Sequence, residues 1–290
     1  MQAPCNICPR QCGALRDANP GYCGMPESPV SARAALHFDE EPAISGDRGS
    51  GTIFFSGCAL RCVFCQNEDI SHGRFGHTLT VDALREAYLS LIAQGAHNIN
   101  LVNPTHFLRS ILASLDAPLP VPVVYNTGGY ELATSIRALE GKVSVYLPDL
   151  KYLEKKSAAR YSGACDYFEH ASSALLEMYR QQPRVVIGED GTMHRGMLVR
   201  HLILPGCTDE SMRILDWIAK HLPGAWVSLM AQYVPMCRAA AFPEINRRLT
   251  EDEYERVAAH LIDIGLEDGY VQELGSADER YIPPFDLSGL

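Results

Sequence analysis

Three closely spaced cysteines, Cys58, Cys62 and Cys65, form the pattern that most directly suggests chemistry in this sequence. They make a C-x-x-x-C-x-x-C loop directly after a short apolar run, Thr52 to Ser56, which is typical of a buried strand. Most iron–sulfur clusters take four cysteine ligands, so three thiolates would bind three irons and leave the fourth open. Structural zinc is the alternative, but it requires four closed ligands, and no histidine or fourth cysteine is close in sequence. The spacing therefore predicts a [4Fe–4S] cluster with an open iron.

A second group of cysteines, Cys5, Cys8, Cys12 and Cys23, lies among prolines and glycines. Four thiolates can close a tetrahedral zinc site or hold a second Fe–S cluster, and the spacing does not choose between them. Disulfides are a further alternative, although they are rare in reducing compartments. The group predicts a small metal-binding module.

The other cysteines and the histidines form no recognisable site. The cysteines outside the two groups are Cys165, Cys207 and Cys237. A free cysteine is most often a small buried apolar residue, and a hydrogen-donating or substrate-binding role is the alternative. His106, His194 and His201 lack the spacing of a zinc site or a catalytic triad, so we interpret them as structural.

Beyond residue 52 the chain alternates between short apolar runs and helical patterns, which is typical of βα units and a parallel sheet. The six predicted strands are Thr52 to Ser56, His97 to Val102, Val121 to Tyr125, Val143 to Leu147, Met197 to Leu204 and Ala225 to Met230. Helices are expected to begin near Thr80, Thr105, Tyr130, Lys155, Asp166, Thr208 and Thr250. At the last of these, Thr250 and Glu253 fit a capping box. The pattern predicts an α/β fold, a partial TIM barrel of about six βα units.

Two regions are expected. Residues 1 to 45 match no βα unit and are predicted to form the cysteine-rich metal-binding module. The glycine-rich stretch from Ser45 to Gly51 is the predicted linker. Residues 46 to 290 are predicted to form the barrel with a C-terminal extension.

Composition excludes several classes of function. The formal charge of −10 is spread along the chain without a long basic cluster, which argues against a nucleic-acid partner. No apolar segment approaches the roughly 20 residues that span a bilayer, and no signal-peptide pattern opens the chain. We therefore expect a cytoplasmic protein with no membrane partner.

The loop from Gly57 to Asn67, in which Phe64 is the aromatic residue before the third cysteine, resembles that of the radical S-adenosylmethionine (AdoMet) superfamily. The resemblance implies that Phe64 is among the residues that contact the cofactor. Residues 52–235 resemble more narrowly the branch of pyruvate formate-lyase activating enzyme. The whole chain resembles uncharacterised relatives that also carry an N-terminal cysteine module. The resemblance implies that AdoMet chelates the open iron through its amino and carboxylate groups.

The resemblance also implies contacts to AdoMet at the ends of the strands. In the family a Gly-Gly-Glu-like turn offers backbone carbonyls to the AdoMet amino group; here Asn103 occupies that segment, without the glycines and the glutamate. Asn126 and Thr127 follow the third strand, and Asn126 replaces the first Asp of the family's cation site. Asp149 and Lys151 follow the fourth strand.

Two further AdoMet contacts are implied on later strands. Arg200 matches the family's arginine on the fifth strand, and Gln232 matches a residue that contacts adenosine. A buried arginine usually needs a partner, so a salt bridge between Arg200 and Asp149 is the alternative explanation.

The resemblance implies that reduced flavodoxin or ferredoxin supplies one electron, and that cleavage of AdoMet gives methionine and a 5′-deoxyadenosyl radical that abstracts hydrogen. A partial barrel is open laterally, so a loop of another protein could enter, which favours a glycyl-radical enzyme as partner. The chain lacks the N-terminal segment typical of established activases. Radical modification of a small molecule or peptide is the second hypothesis, and a non-catalytic Fe–S electron-transfer protein is the third.

Overall fold

The computed structural model describes residues 4–276 and 283–290 of the chain. The strands in these ranges are β1 (Val30–His37), β2 (Ser50–Phe55), β3 (His77–Thr78), β4 (Ile99–Val102), β5 (Val123–Thr127), β6 (Val145–Pro148), β7 (Val186–Ile187), β8 (Met193–Leu202), β9 (Trp226–Met230) and β10 (Gly269–Val271). The α-helices are α1 (Pro42–Ser45), α2 (Glu68–Ser71), α3 (Val81–Ala93), α4 (Leu108–Ser114), α5 (Ala133–Arg137), α6 (Lys155–Ser162), α7 (Tyr167–Gln181), α8 (Thr208–His221) and α9 (Glu251–Asp263).

The strands form one sheet in the order β10-β9-β8-β6-β5-β4-β2-β1-β3, with β7 paired to β8. The pairs from β2 to β10 along this path are parallel, whereas β1 runs antiparallel to β2 and to β3. The predicted α/β partial barrel is thus confirmed. Because the parallel strands share one direction, their carboxyl ends lie at a single edge, where barrels gather functional side chains.

The six predicted strands are all present, and β10 adds a further parallel strand at the edge. The strand predicted at Met197 to Leu204 begins four residues earlier, at Met193, because its first residues pair with β7. The helix predicted near Tyr130 is short and begins only at Ala133, and the one near Thr105 opens with a 3₁₀ turn before α4.

Strand β1 was not predicted. Its sequence, Val30 to His37, has three alanines and only one β-branched residue, so it lacks the β-branched run that marks the other strands. Pairing with β2 makes it a strand, with Ala35 opposite Thr52. The side chains of Cys5 and Cys8 also join the main apolar core. The division of the chain at residue 45 stays a prediction.

Helix starts agree with their local sequence. Thr80 caps α3 by accepting a hydrogen bond from the backbone N–H of Ala83. The capping box at α9 is present as predicted, since Thr250 and Glu253 each accept from the other's backbone N–H. No helix of the described residues is both long and apolar enough to cross a membrane.

Candidate metal and cofactor site

The three-cysteine loop leaves β2 and is fixed by backbone contacts from several elements. Gly57 has φ +80°, and a Cβ there would meet the side chain of Met25 and lie 2.7 Å from the carbonyl oxygen of Cys23. Val63 donates its N–H to the carbonyl of Tyr161 over 2.8 Å and accepts from the N–H of Arg238 over 2.8 Å. The loop is therefore held between the N-terminal region, α6 and the segment after β9.

Each sulfur of this loop has its own hydrogen-bond donor. The backbone N–H of Leu60 lies 3.3 Å from the sulfur of Cys58. The hydroxyl of Ser162 donates to Cys62 over 3.0 Å, and that of Ser71 donates to Cys65 over 3.2 Å. Hydrogen bonds to cysteine sulfur tune the potential of an iron–sulfur cluster, so these donors match the expected ligand role.

Burial disfavours the thiolate forms of Cys62 and Cys65. It raises the pKa of the Cys62 thiol, opposed by the ammonium group of Lys151. Burial, with the neighbouring Cys62, raises the pKa of Cys65 to about 12. Thiolate ligands in this setting need the compensating charge of a metal.

Cys62 and Cys65 open onto a cavity of about 340 Å³ inside the partial barrel. The predicted AdoMet contacts that line it are Phe64, Asn126, Asp149, Lys151, Arg200 and Gln232. This volume is at the lower end of the range for small-molecule sites, which is roughly 300–1,000 Å³. The structure thus brings six of the eight predicted contacts to one cavity with two of the three cysteines.

Arg200 is the centre of an ion network in this cavity. Its Nε donates to Asp149 over 2.9 Å, and a terminal nitrogen donates to Glu40 over 3.1 Å. Lys151 also pairs with Asp149. Burial would raise the pKa of Asp149, but the two cations outweigh it and hold that pKa below its usual value. The salt bridge to Asp149 that we named as the alternative is present.

Glu40 was missed by the sequence analysis. One of its carboxylate oxygens accepts from the side-chain amides of Asn100 and Asn126, and the other accepts from Arg200. The signal was the acidic run Asp39-Glu40-Glu41, which we had placed in the N-terminal module.

Several buried oxygens that face this cavity lack partners. Gln272 Oε1 forms no hydrogen bond within the described residues. Glu41 Oε2 and Ser228 Oγ form none of normal geometry there, although Ser228 lies close enough to lower the pKa of Glu41. A buried polar atom without a partner costs roughly 1–3 kcal/mol. A ligand that brings hydrogen-bond donors, as the amino group and ribose of AdoMet do, would satisfy them. The cavity and the thiol loop therefore fit AdoMet and a cluster.

Asn103 and Thr127 lie beside the cavity and do not line it. Asn103 has φ +58°, and its side-chain amide donates to the carbonyl of Gly57 over 2.6 Å, which secures the cysteine loop. Thr127 donates to the buried carboxylate of Glu131 over 2.6 Å. Burial raises the pKa of Glu131 to about 7.

Among the N-terminal cysteines, Cys5 lies close enough to Cys8, Cys12 and Cys23 to interact with each of them. Across residues 4–276 and 283–290, however, no three His, Cys, Asp or Glu side chains are grouped closely enough to hold one metal ion. A cuboidal cluster differs, because each cysteine binds a different iron. Zinc or a second cluster at the N-terminal group stays a prediction.

The other cysteines and histidines are distributed as follows. Cys165 is exposed, and Cys207 is half-buried with a pKa raised by burial to about 12. Cys237 lies with its sulfur 4.0 Å from the carbonyl oxygen of Cys62, beside the loop but outside the cavity lining. Buried His106 and His201 bond to the backbone carbonyls of Ser56 and Leu150, which agrees with structural roles.

Comparison with known proteins gives one sequence relative and several structural ones. No family model matches the chain. It is 33% identical over 265 residues to the uncharacterized protein MJ0674 of Methanocaldococcus jannaschii, and the match covers 87% of this chain and 72% of that protein.

The structural relatives share the fold. The Streptococcus suis SuiB structure bound to S-adenosylmethionine gives a TM-score of 0.51 at 11% identity, covering 76% of this chain and 49% of SuiB. This chain therefore spans about half the length of SuiB. A mutant of spore photoproduct lyase gives a TM-score of 0.52 at 13% identity, covering 83% of this chain and 80% of the lyase. At such identities the likeness concerns architecture alone.

Proposed function

This chain belongs to the same protein family as the uncharacterized protein MJ0674 of Methanocaldococcus jannaschii, and we propose that it is a radical AdoMet enzyme of the branch related to pyruvate formate-lyase activating enzyme. One observation carries the proposal: Cys62 and Cys65 line the same cavity as the Arg200 ion network, and each sulfur of the loop has a hydrogen-bond donor. SuiB, whose structure holds S-adenosylmethionine, has the same fold.

The metal ligands are Cys58, Cys62 and Cys65. When bound, a [4Fe–4S] cluster would supply one electron to AdoMet, whose cleavage gives methionine and a 5′-deoxyadenosyl radical. The residues of this chain orient the reactants and exclude water. Phe64, which packs edge-on against Tyr233 with ring centroids 5.8 Å apart, forms an apolar wall beside the cysteines.

The ion network fixes the polar wall of the cavity. Because Arg200 is bonded to Asp149 and Glu40, its guanidinium cannot rotate freely, and Asp149 in turn fixes Lys151. We assign these side chains to orientation of the polar groups of AdoMet. Preorganised charges of this kind need no rearrangement when a reaction begins.

The substrate is proposed from the resemblance. The radical would abstract hydrogen from a backbone glycine of a glycyl-radical enzyme that reaches the cavity at the open side of the sheet. Modification of a peptide or a small molecule is the second candidate, and the SuiB structure bound to its precursor peptide SuiA, at TM-score 0.50, favours it. We also propose a cytoplasmic protein that receives electrons from flavodoxin or ferredoxin.

The test is anaerobic reconstitution with iron and sulfide, followed by addition of AdoMet and dithionite. The wild-type protein should form 5′-deoxyadenosine and methionine, whereas Cys62→Ala should form neither. Cys165→Ala is the matched control, because Cys165 is exposed and should behave as wild type. Product formation by Cys62→Ala at the wild-type rate would rule out the assigned ligand set.

A further inference from the structure

A second concave surface lies on the outer side of the cysteine loop. We call it the basic cleft, and its volume is about 420 Å³. Its charged and aromatic lining residues are Tyr22, Arg61, Arg160, Tyr161, Arg238 and Phe242. The cleft therefore combines three arginines with three large aromatic rings.

The basic cleft lies beside the cysteine loop. Arg61 and Val63 flank Cys62 in the sequence, so their side chains reach the cleft from either side of a ligand. Ser162, another lining residue, donates its hydroxyl to the sulfur of Cys62 over 3.0 Å. Ser162 therefore connects the cleft to that sulfur.

The charge of the cleft is unusual for this protein. The chain carries a net −10, yet none of the ion pairs among the described residues includes Arg61, Arg238 or the neighbouring Arg10. Arg160 is the exception, because it pairs with Glu244. Most other arginines that form ion pairs lie elsewhere on the surface or in the ion network of the cavity.

Acidic groups and His72 do not cancel this charge. The one carboxylate that acts on His72 is Glu68, and burial, reinforced by Arg238 and opposed by Glu68, lowers the pKa of His72. Burial and Glu68 raise the pKa of Cys237, which lies beside the loop. The balance of fixed charges at the cleft is positive, with Arg61 and Arg238 each lacking a carboxylate within ion-pair distance in the described chain.

Aromatic rings stack against Arg10, Arg61 and Arg160. Arg10 lies 4.1 Å and Arg61 lies 5.4 Å from the centroid of the Tyr22 ring. Arg160 lies 5.1 Å from the centroid of Phe242. Stacking on a ring uses the face of a guanidinium and not its N–H edges. Arg10 nevertheless donates those N–H groups to the backbone carbonyls of Ala59, Ser162 and Gly163, and Arg160 donates to Glu244. Arg61 and Arg238 are therefore the arginines of this group that keep N–H groups for a carboxylate.

We propose that the basic cleft docks an acidic one-electron carrier protein, which reduces the cluster; this rests on the function proposed above. In the step the carrier loses one electron and the cluster gains it, and no bond is made or broken. Complementary charge steers such encounters and makes them depend on salt. An acidic carrier would otherwise be repelled by the net negative charge of this chain.

The binding test uses oxidised flavodoxin as the probe with reconstituted protein. Arg238→Glu should weaken flavodoxin binding about tenfold or more, because it reverses an exposed charge, and raising the salt concentration should weaken wild-type binding in the same way. Arg195→Glu is the matched control, since Arg195 is exposed at the opposite end of the parallel strands, and it should change the dissociation constant less than about twofold.

The activity test separates this proposal from the proposed function. If dithionite fails to drive 5′-deoxyadenosine formation in wild type, the enzymatic function itself is wrong. If dithionite drives wild type and Arg238→Glu equally, while reduced flavodoxin drives only wild type, docking at the basic cleft is supported. Equal flavodoxin-driven rates in both proteins would overturn it.

Two further measurements address the outcomes that the binding and activity tests leave open. Arg238→Ala removes the charge without reversing it. This variant replaces Arg238→Glu in both tests if Arg238→Glu binds less iron than wild type. The backbone N–H of Arg238, which bonds to Val63, is kept in both variants. A single-stranded oligonucleotide is tested in parallel. If the oligonucleotide binds wild type but not Arg238→Glu, while flavodoxin has the same affinity for both proteins, the assignment to a carrier protein is overturned.

Discussion

At the scale of single residues, the buried charges of the cavity depend on one another. Arg200 is largely buried and neutralises Asp149 and Glu40 at once. Burial opposes its charge, but these carboxylates outweigh that cost and raise its pKa. Removing one member of such a set leaves the others as uncompensated buried charges.

We therefore expect Arg200→Met to lower the free energy of unfolding by about 3–5 kcal/mol, because Asp149 and Glu40 lose their common partner. The control is Arg195→Ala, an exposed position on the same strand, which should change stability by less than about 0.5 kcal/mol. Urea denaturation of both variants measures the difference. Equal stabilities would mean that the network contributes little to the fold.

Glu131 provides a pH-dependent test. Its pKa is about 7 in the folded protein because it is fully buried, so it stays protonated where the unfolded chain releases its proton. The associated stability is complete below about pH 4.5 and is lost as the pH rises through 7, by about 3 kcal/mol in total.

In Glu131→Gln an amide oxygen replaces the carboxyl oxygen that accepts from Thr105 and Thr127, and the side chain cannot ionise. The variant should gain stability relative to wild type between pH 5 and 8, as measured by urea denaturation at several pH values. The exposed Glu255→Gln on α9 is the matched control. A stability difference that is constant with pH would contradict a protonated Glu131.

At the scale of elements, the features that depend on neighbouring residues could be predicted from the sequence. Buried parallel strands are short apolar runs, and the caps of α3 and α9 depend on residues three positions apart, so both could be predicted from the sequence. Strand β1 depends on its pairing with β2. Glu40 lies between β1 and α1 in the chain, so its position at the cavity depends on where those two elements pack. Such long-range partners leave no local pattern.

The junction between β2 and the cysteine loop should tolerate only glycine at position 57. Gly57→Ala adds a methyl group against Met25 and the carbonyl of Cys23, whereas at Gly141, also at positive φ (+77°), the added methyl meets nothing within 4 Å. Both substitutions incur the backbone penalty, but Gly57→Ala should lose about 1–3 kcal/mol more through overpacking.

Gly57→Ala should also bind less iron on reconstitution than Gly141→Ala, because the displaced loop carries Cys58. Thermal unfolding and iron analysis measure the two effects. If both variants had the same stability and iron content, the loop would not depend on the close approach of the N-terminal region.

At the scale of the whole molecule, two concave surfaces of the partial barrel, the interior cavity and the basic cleft, lie beside the same cysteine loop. The interior cavity offers the ion network and the unpartnered oxygens to AdoMet, and the basic cleft offers arginines to a reductant from the outer side. The spacing of Cys58, Cys62 and Cys65 predicted the centre of this arrangement. The basic cleft could not be predicted, because Tyr22, Arg160 and Arg238 come from distant parts of the chain.

The most direct measurement of the central claim is Mössbauer spectroscopy of protein reconstituted with ⁵⁷Fe, with and without AdoMet. An incompletely ligated cluster predicts four irons per loop, of which one changes its isomer shift when AdoMet is added while three remain unchanged. Four irons that are all insensitive to AdoMet, or a loop that takes up zinc in place of iron, would contradict the account.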